Sequence, residues 1–461
     1  MISAVKSLLY TVSVLLTAPQ PRGPKNLPVL GHLRPFRAHP IQFLMKMARE
    51  YGDLAYFRVA SQHIYLVNHP DLVREVLVTN QANFTKSRAL QRARILLGEG
   101  LLTSEGQFHL RQRRLVQPAF HRERLAAYAA MMSEYGIQFR DRWTAGSTVD
   151  VSSEMMRLTL AVVGKTLFSA DVEAEAPEIG EALTIVLKMF RMLMMPFSEY
   201  VQKLPLPSVR RFEKAGARLD KTIYGLIHER RRSGEDTGDL LSMLLLAHDE
   251  EADGSGMTDK QVRDEALTLF MAGHETTANA LTWTWYLLSQ NPECERRLHA
   301  EIDAALEGRV PNMADLPQLQ YTEMVFAEAM RLYPPAWAIG RMSKGAFELG
   351  GIPIAAKSIC ILSPYVMQRD ARWFPDPERF DPERWTPGAR DARPKFSYFP
   401  FGGGARVCIG ERFAWMEGVL MIAAIAQKWK LRLAKDQRVE PLPLITLRTK
   451  YGMRMVVEPR G

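Results

Sequence analysis

The ten residues Phe401–Gly410, FGGGARVCIG, constrain this chain more than any other stretch. Three consecutive glycines, an arginine, one cysteine and a fourth glycine lead into ERFAWMEGVLMIAAIAQKW, an apolar run with helical spacing. Gly402, Gly403 and Gly404 free the backbone to turn and to approach a flat ligand closely. Cys408 stands just ahead of the predicted helix, where the N-terminal dipole favours an anion and so a thiolate. Amides of the glycine turn are placed to donate to its sulfur. A lone cysteine is usually a small buried hydrophobe, and Cys408 by itself would be read that way. The spacing Phe401-x-x-Gly404-x-Arg406-x-Cys408-x-Gly410 reverses that reading.

That spacing resembles the haem-binding loop of the cytochrome P450 family, in which a single thiolate is the axial ligand of haem iron. Two further motifs follow the same resemblance. Ala272-Gly273-His274-Glu275-Thr276-Thr277 interrupts a long, mostly apolar helical pattern. Glycine and β-branched threonine weaken a helix interior, and a threonine hydroxyl bonding back to a carbonyl opens it locally. The segment resembles the family's oxygen-activation motif, which implies proton delivery by Glu275 and Thr276; His274 falls at its variable position. Glu328 and Arg331, in EAMR, lie one helical turn apart and can pair. The resemblance adds Arg384, in PERW, to form a structural triad. His109 and Arg113 share a helix face four residues apart, a cationic pair suited to a haem propionate. Arg341 and Arg406 are the other propionate partners implied, and Phe401 and Gly410 complete the cofactor set around Cys408, the metal ligand.

The resemblance extends from the proline-rich segment near the N-terminus to the C-terminal strands. It implies a mainly α fold with a smaller β-rich region (α+β), with one long central helix crossing the haem. That helix is expected from a Thr258/Gln261 capping box to Asn291, where Pro292 stops it. Further helices are expected at 39–51, 107–135, 150–168, 178–195, 208–233, 292–308 and 314–333. A strand pair is expected at 54–68 and more strands near 430–459. The expected division is a tail and proline-rich linker over 1–26 and one haem-thiolate domain over 27–461.

With 461 residues, 47% hydrophobic and 24% charged, the chain can bury a large core. Its 60 basic and 51 acidic residues give +9, spread along the chain with no compact basic block interleaved with aromatics, which argues against nucleic acid. Cys294, Cys360 and Cys408 are too few and scattered for a disulfide framework, which points to the cytoplasm. The apolar tail Ser7–Ala18 is short for a membrane span. It is expected to be a tail that at most touches a membrane surface.

The function implied is a monooxygenase that inserts one oxygen atom of O2 into an apolar, terpenoid or fatty-acid-like molecule. The resemblance implies haem b as cofactor, a monomer, and electrons from a separate ferredoxin or flavodoxin, since the chain ends soon after the haem loop. Two rivals are a haem-thiolate sensor or carrier without turnover and a peroxide-driven hydroxylase; the pair Glu275–Thr276 weighs against both. Pocket segments are expected at Gln81–Leu102, Leu187–Tyr200, Phe270–Thr276, Pro335–Ile339 and Pro443–Leu447. A basic cluster of Arg111, Arg114, Arg122, Arg124, Lys395 and Arg412 is expected to meet an acidic redox partner.

Overall fold

The computed structural model describes residues 21–25, 28–169, 206–249 and 254–460, with isolated positions between 180 and 204. The pocket segment Leu187–Tyr200 lies almost wholly outside the described residues, and of the helix expected at 178–195 only positions 180–182, 185–186 and 189 are described, all of them helical. The chain divides into two compact units, one of residues 1–88, 338–377 and 393–407, the other of residues 89–337, 378–392 and 408–461.

The first unit is built on a five-stranded sheet. Leu54–Val59 and Gln62–Val67 form the expected hairpin, with Leu54 opposite Val67. Gln62–Val67 then pairs in parallel with Ile359–Leu362, which runs antiparallel to Ile339–Ser343, and Phe84–Lys86 closes the edge. Alternation puts Tyr65, Val67, Cys360 and Leu362 into one apolar cluster with Val73, Val76, Leu77 and Phe84. Helix α1 (Pro40–Tyr51) packs beside it, burying Ile41, Leu44 and Met47 at helical spacing.

The second unit is helical: α2 (Gly106–Val116), α3 (Arg122–Asp141), α4 (Val151–Phe168), α5 (Pro207–Ser233), α6 (Asp259–Gln290), α7 (Pro292–Leu306), α8 (Gln320–Leu332) and α9 (Glu411–Ala426). The 32-residue α6 starts where the sequence predicts. The Thr258 hydroxyl accepts from the Gln261 N–H, and the Gln261 side chain accepts from the Thr258 N–H. It is buried nearly all round because α4, α5, α8 and α9 pack against it. Gly273 permits the approach of α4: a Cβ there would stand 3.0 Å from Val163 Cγ2. The segment 107–135 is two helices rather than one. Pro118 lies in the 3-10 turn Gln117–Phe120 that separates α2 from α3. Likewise the start of 314–333 is a separate 3-10 turn, Met313–Gln318, containing Pro317. A three-stranded antiparallel sheet (148–150, 454–459, 429–433) and the hairpin 441–443/447–449 complete the unit. No helix among the described residues is long and apolar enough to cross a membrane.

Candidate functional site

The glycine turn needs its glycines. Gly402 and Gly404 sit at φ +75° and +70°, in the left-handed region that side chains disfavour. A Cβ on Gly404 would lie 1.9 Å from the Leu77 carbonyl oxygen. The Gln81 side chain fixes the turn by accepting from the Ala405 N–H at 2.9 Å. Gly403 and Arg406 line one small cavity of this unit with Arg341, Gln81 and Phe84, which brings two of the predicted propionate arginines together. Arg341 is held on the sheet opposite Lys86 and Cys360.

In the second unit Cys408 precedes α9 and is exposed. Protein atoms nonetheless crowd its sulfur, and this desolvation pushes the thiol up to about 11. The Gly410 N–H and the Arg113 guanidinium pull it back only partly. The helix N-terminus therefore does not by itself make a thiolate here. A bound metal ion does, because coordination strips the proton from a thiol. Arg113 feels Cys408 in turn: burial lowers its pKa and the sulfur raises it. His109, one turn earlier on α2, is buried, with Nδ1 3.2 Å from the Ser104 hydroxyl. The helix face expected to carry the two residues is thus present, with Arg113 within electrostatic reach of Cys408.

Along α6 the residues Ala272, Gly273 and Thr276 keep accessible surface while those around them are buried. They share one face, an open strip of small side chains in the middle of a core helix. The Thr276 hydroxyl donates to the Ala272 carbonyl at 2.6 Å, the back-bonding expected of it, yet α6 runs on without a break. Glu275 lies off the strip and is 3% exposed. Its Oε1 accepts from Arg448 Nε at 2.6 Å and from the Thr446 hydroxyl. His274 is buried with Nδ1 2.9 Å from the Phe270 carbonyl, and burial lowers its pKa, which keeps it neutral. Around Glu275 the segments 335–337 and 444–447 are stitched together. Trp337 Nε1 donates to the Leu444 carbonyl at 2.9 Å, the Leu447 N–H to the Pro335 carbonyl at 2.9 Å, and Trp283 Nε1 to the Leu447 carbonyl at 3.0 Å.

Glu328, Arg331 and Arg384 meet as expected, and two further donors join them. Arg331 places Nε and Nη2 on the two Glu328 oxygens, both at 2.8 Å. Arg384 Nε lies 3.5 Å from Oε1, and the Asp381 N–H and Trp385 Nε1 each donate at 2.9 Å. Glu328 and Arg331 are wholly buried, so losing one partner would cost about 3–5 kcal/mol. The network is scaffold for the segment 378–385. A second buried acid, Glu417 on α9, lies beside Thr277 of α6. Neither oxygen makes a well-formed hydrogen bond among the described residues, so the nearby Thr277 hydroxyl offsets little, and burial pushes its pKa up to about 8. Sequence reading missed Glu417 and Arg448, and named Thr446 only as part of the expected pocket segment Pro443–Leu447. In LITLRTK nothing distinguishes Thr446 or Arg448 from ordinary strand residues.

The residues fit a planar iron cofactor. Among the described residues no cluster of His, Cys, Asp or Glu could hold a metal ion alone. One exposed thiol is, however, the donor set that suits an iron already held by its own ligand. The strip of Ala272, Gly273 and Thr276 offers a flat face with no bulky side chain on it.

Comparison with known proteins gives the same answer. The family model Cytochrome P450 matches residues 21–453. The chain is 43% identical to Cyclooctatin synthase of Streptomyces melanosporofaciens, over 95% of each chain. It is 41% identical to Cyclooctat-9-en-7-ol 5-monooxygenase of the same organism, again over 95% of each. It is also 36% identical to Pentalenene oxygenase of Streptomyces avermitilis, over 95% of this chain and 97% of that one.

Proposed function

From its membership of the cytochrome P450 family, which makes the chain a haem-thiolate monooxygenase binding haem b, we propose a division of labour among its residues. Cys408 is the axial ligand. His109 and Arg113 hold a propionate, as do Arg341 and Arg406; Phe401 and Gly410 shape the loop. Glu275 and Thr276 deliver protons, and residues 27–461 work as one domain. The observation that carries this reading is the pairing of an exposed Cys408, with Arg113 in reach of its sulfur, and an open strip on α6 that ends at Thr276.

When bound, the haem supplies reductive activation of O2: one oxygen atom enters a C–H bond and the other leaves as water, with two electrons and two protons consumed. This chain's residues govern the surroundings of that chemistry. Arg113 offers a cation within electrostatic reach of the sulfur. Thr276, on the accessible strip, can hold a water and pass on its proton. Glu275, off the strip and tethered to Arg448, supplies protons from behind. Ala272 leaves room for substrate against the helix.

The substrate we propose is an apolar, terpenoid or fatty-acid-like molecule. In support, the relatives' names specify an alkene and an alkenol, and the accessible strip of α6 carries only small side chains. The electron donor is a separate ferredoxin or flavodoxin, and the setting is the cytoplasm. Arg111 and Arg114 do not serve that docking freely, because both pair with the buried Asp249, at 3.2 and 3.1 Å. Arg122 and Arg412 remain as exposed cations of the expected cluster in this unit. The test is Cys408→Ser. The reduced carbon monoxide complex should lose its red-shifted Soret band, while Cys294→Ser and Cys360→Ser retain it. A thiolate spectrum surviving at position 408 overturns the assignment.

A further inference from the structure

Two consecutive acids on α6, Asp264 and Glu265, are buried at 3% and 0% exposure, well before the strip at 272–276. Buried carboxylates are costly unless they are bonded, and these are. Asp264 takes Lys260 Nζ at 3.0 Å, Arg263 Nη1 at 2.9 Å and the Glu99 N–H at 2.9 Å. Glu265 splits its two oxygens between two segments: Oε2 accepts from the Leu101 N–H at 2.9 Å, and Oε1 from Gln112 Nε2 at 3.1 Å.

Both segments lead to the same place. Leu101 lies in a knot, residues 98–104, in which the Thr103 hydroxyl donates to the Gly98 carbonyl and the Thr103 and Ser104 N–H groups donate to the Gly100 carbonyl. Ser104 at its end holds His109 Nδ1. The knot lies flat on α6: a Cβ on Gly98 would meet the Asp264 carboxylate at 2.1 Å, and one on Gly100 would meet Thr268 Oγ1 at 2.2 Å. Gln112, wholly buried, is three residues after His109 and next to Arg113 on α2. One carboxylate thus braces the knot that orients His109 and the helix turn that carries Arg113. We propose that Glu265 is a positioning residue for haem retention, acting through the His109–Arg113 pair; the inference rests on the propionate role assigned above.

The test is a mutant cycle on the holoprotein, read as the rate of haem transfer to excess apomyoglobin. Glu265→Ala should speed release about tenfold, the equivalent of one hydrogen bond lost at the pair. In the His109→Ala/Arg113→Ala background the same change should add less than about twofold, because the pair through which it acts is gone. Glu265→Gln should release haem at close to the wild-type rate, since the Gln112 amide can turn to offer its oxygen to the new NH2 group. If Glu265→Ala yields no holoprotein, Gln112→Ala, which removes only the helix-side bond, replaces it in the cycle. Equal acceleration in both backgrounds, or none in either, overturns the positioning role. Wild-type release from His109→Ala/Arg113→Ala overturns the propionate assignment itself, and that arm is read without Glu265.

Discussion

Glu417→Gln isolates the most perturbed carboxyl group of the helical core. Burial pushes Glu417 from 4.5 up to about 8, with the Thr277 hydroxyl pulling weakly the other way. The folded chain therefore keeps a proton that the unfolded chain gives up once the pH passes about 4.5. Over that window the folded state binds more protons, so rising pH destabilises it. The contribution is intact below pH 4.5, declines through the window and is lost above about 8. A rise from 4.5 to about 8 amounts to about 5 kcal/mol, a ceiling that local opening of α9 to water would lower. Glutamine has nearly the same shape and cannot ionise, so its desolvation offset is constant with pH. The assay is urea unfolding of both holoproteins from pH 5 to 8.5. The stability difference, glutamine minus glutamate, should grow by several kcal/mol across the range, while the titrations of all other groups cancel in the comparison. A difference that stays level from pH 5 to 8.5 refutes the reasoning: Glu417 would then be hydrated or paired in a way that removes its burial penalty.

Thr276→Ala should keep consuming NAD(P)H while product falls and hydrogen peroxide rises, and Glu275→Gln should slow turnover with a larger solvent isotope effect; product, peroxide and cofactor measured in one reconstituted assay decide both. Arg448→Ala should cost about 3–5 kcal/mol in urea unfolding by stranding the buried Glu275 carboxylate, and Glu275→Gln in the same chain should recover most of it. Reduction by an acidic ferredoxin should slow steeply with ionic strength, and Arg122→Glu with Arg412→Glu should flatten that dependence. A salt-indifferent rate rules out electrostatic docking.

What could be read from the residues was local. The bounds of α6 follow from a capping box at Thr258 and a proline at 292, both of which act within one turn. The glycine turn follows from the positive φ of Gly402 and Gly404 and from the Leu77 carbonyl that a Cβ on Gly404 would strike. The errors were local too: helical spacing continues through 107–135, and only the 3-10 turn holding Pro118 shows that it is two helices. What could not be read was partnership across the chain. Glu275 and Arg448 are 173 residues apart, and Leu101 and Glu265 are 164 apart. Nothing in either partner's neighbourhood announces the other. Glu275 is marked by its motif and Glu265 by nothing local, because periodicity gives no weight to a face that is buried by four other helices.

The Glu275–Arg448 pair bears on how an acid so well buried can serve the proposed proton relay. Both of its side-chain bonds fall on Oε1, and among the described residues nothing hydrogen-bonds Oε2. A carboxylate offers about four acceptor sites, so the anchored oxygen fixes the group while the other stays available. Arg448 supplies the countercharge that a buried carboxylate needs, and the hairpin carrying it is tied to α6 by Trp283 and by Asn279, whose Nδ2 reaches Thr446 at 3.2 Å. The acid is therefore held in place rather than free to swing out to solvent. One residue on, Thr276 spends its proton on the Ala272 carbonyl and keeps its lone pairs for a water on the open strip. The proposed relay between the two thus requires water rather than side-chain travel. It follows that filling the strip, as in Ala272→Leu, should reproduce the peroxide release of Thr276→Ala with both relay residues intact.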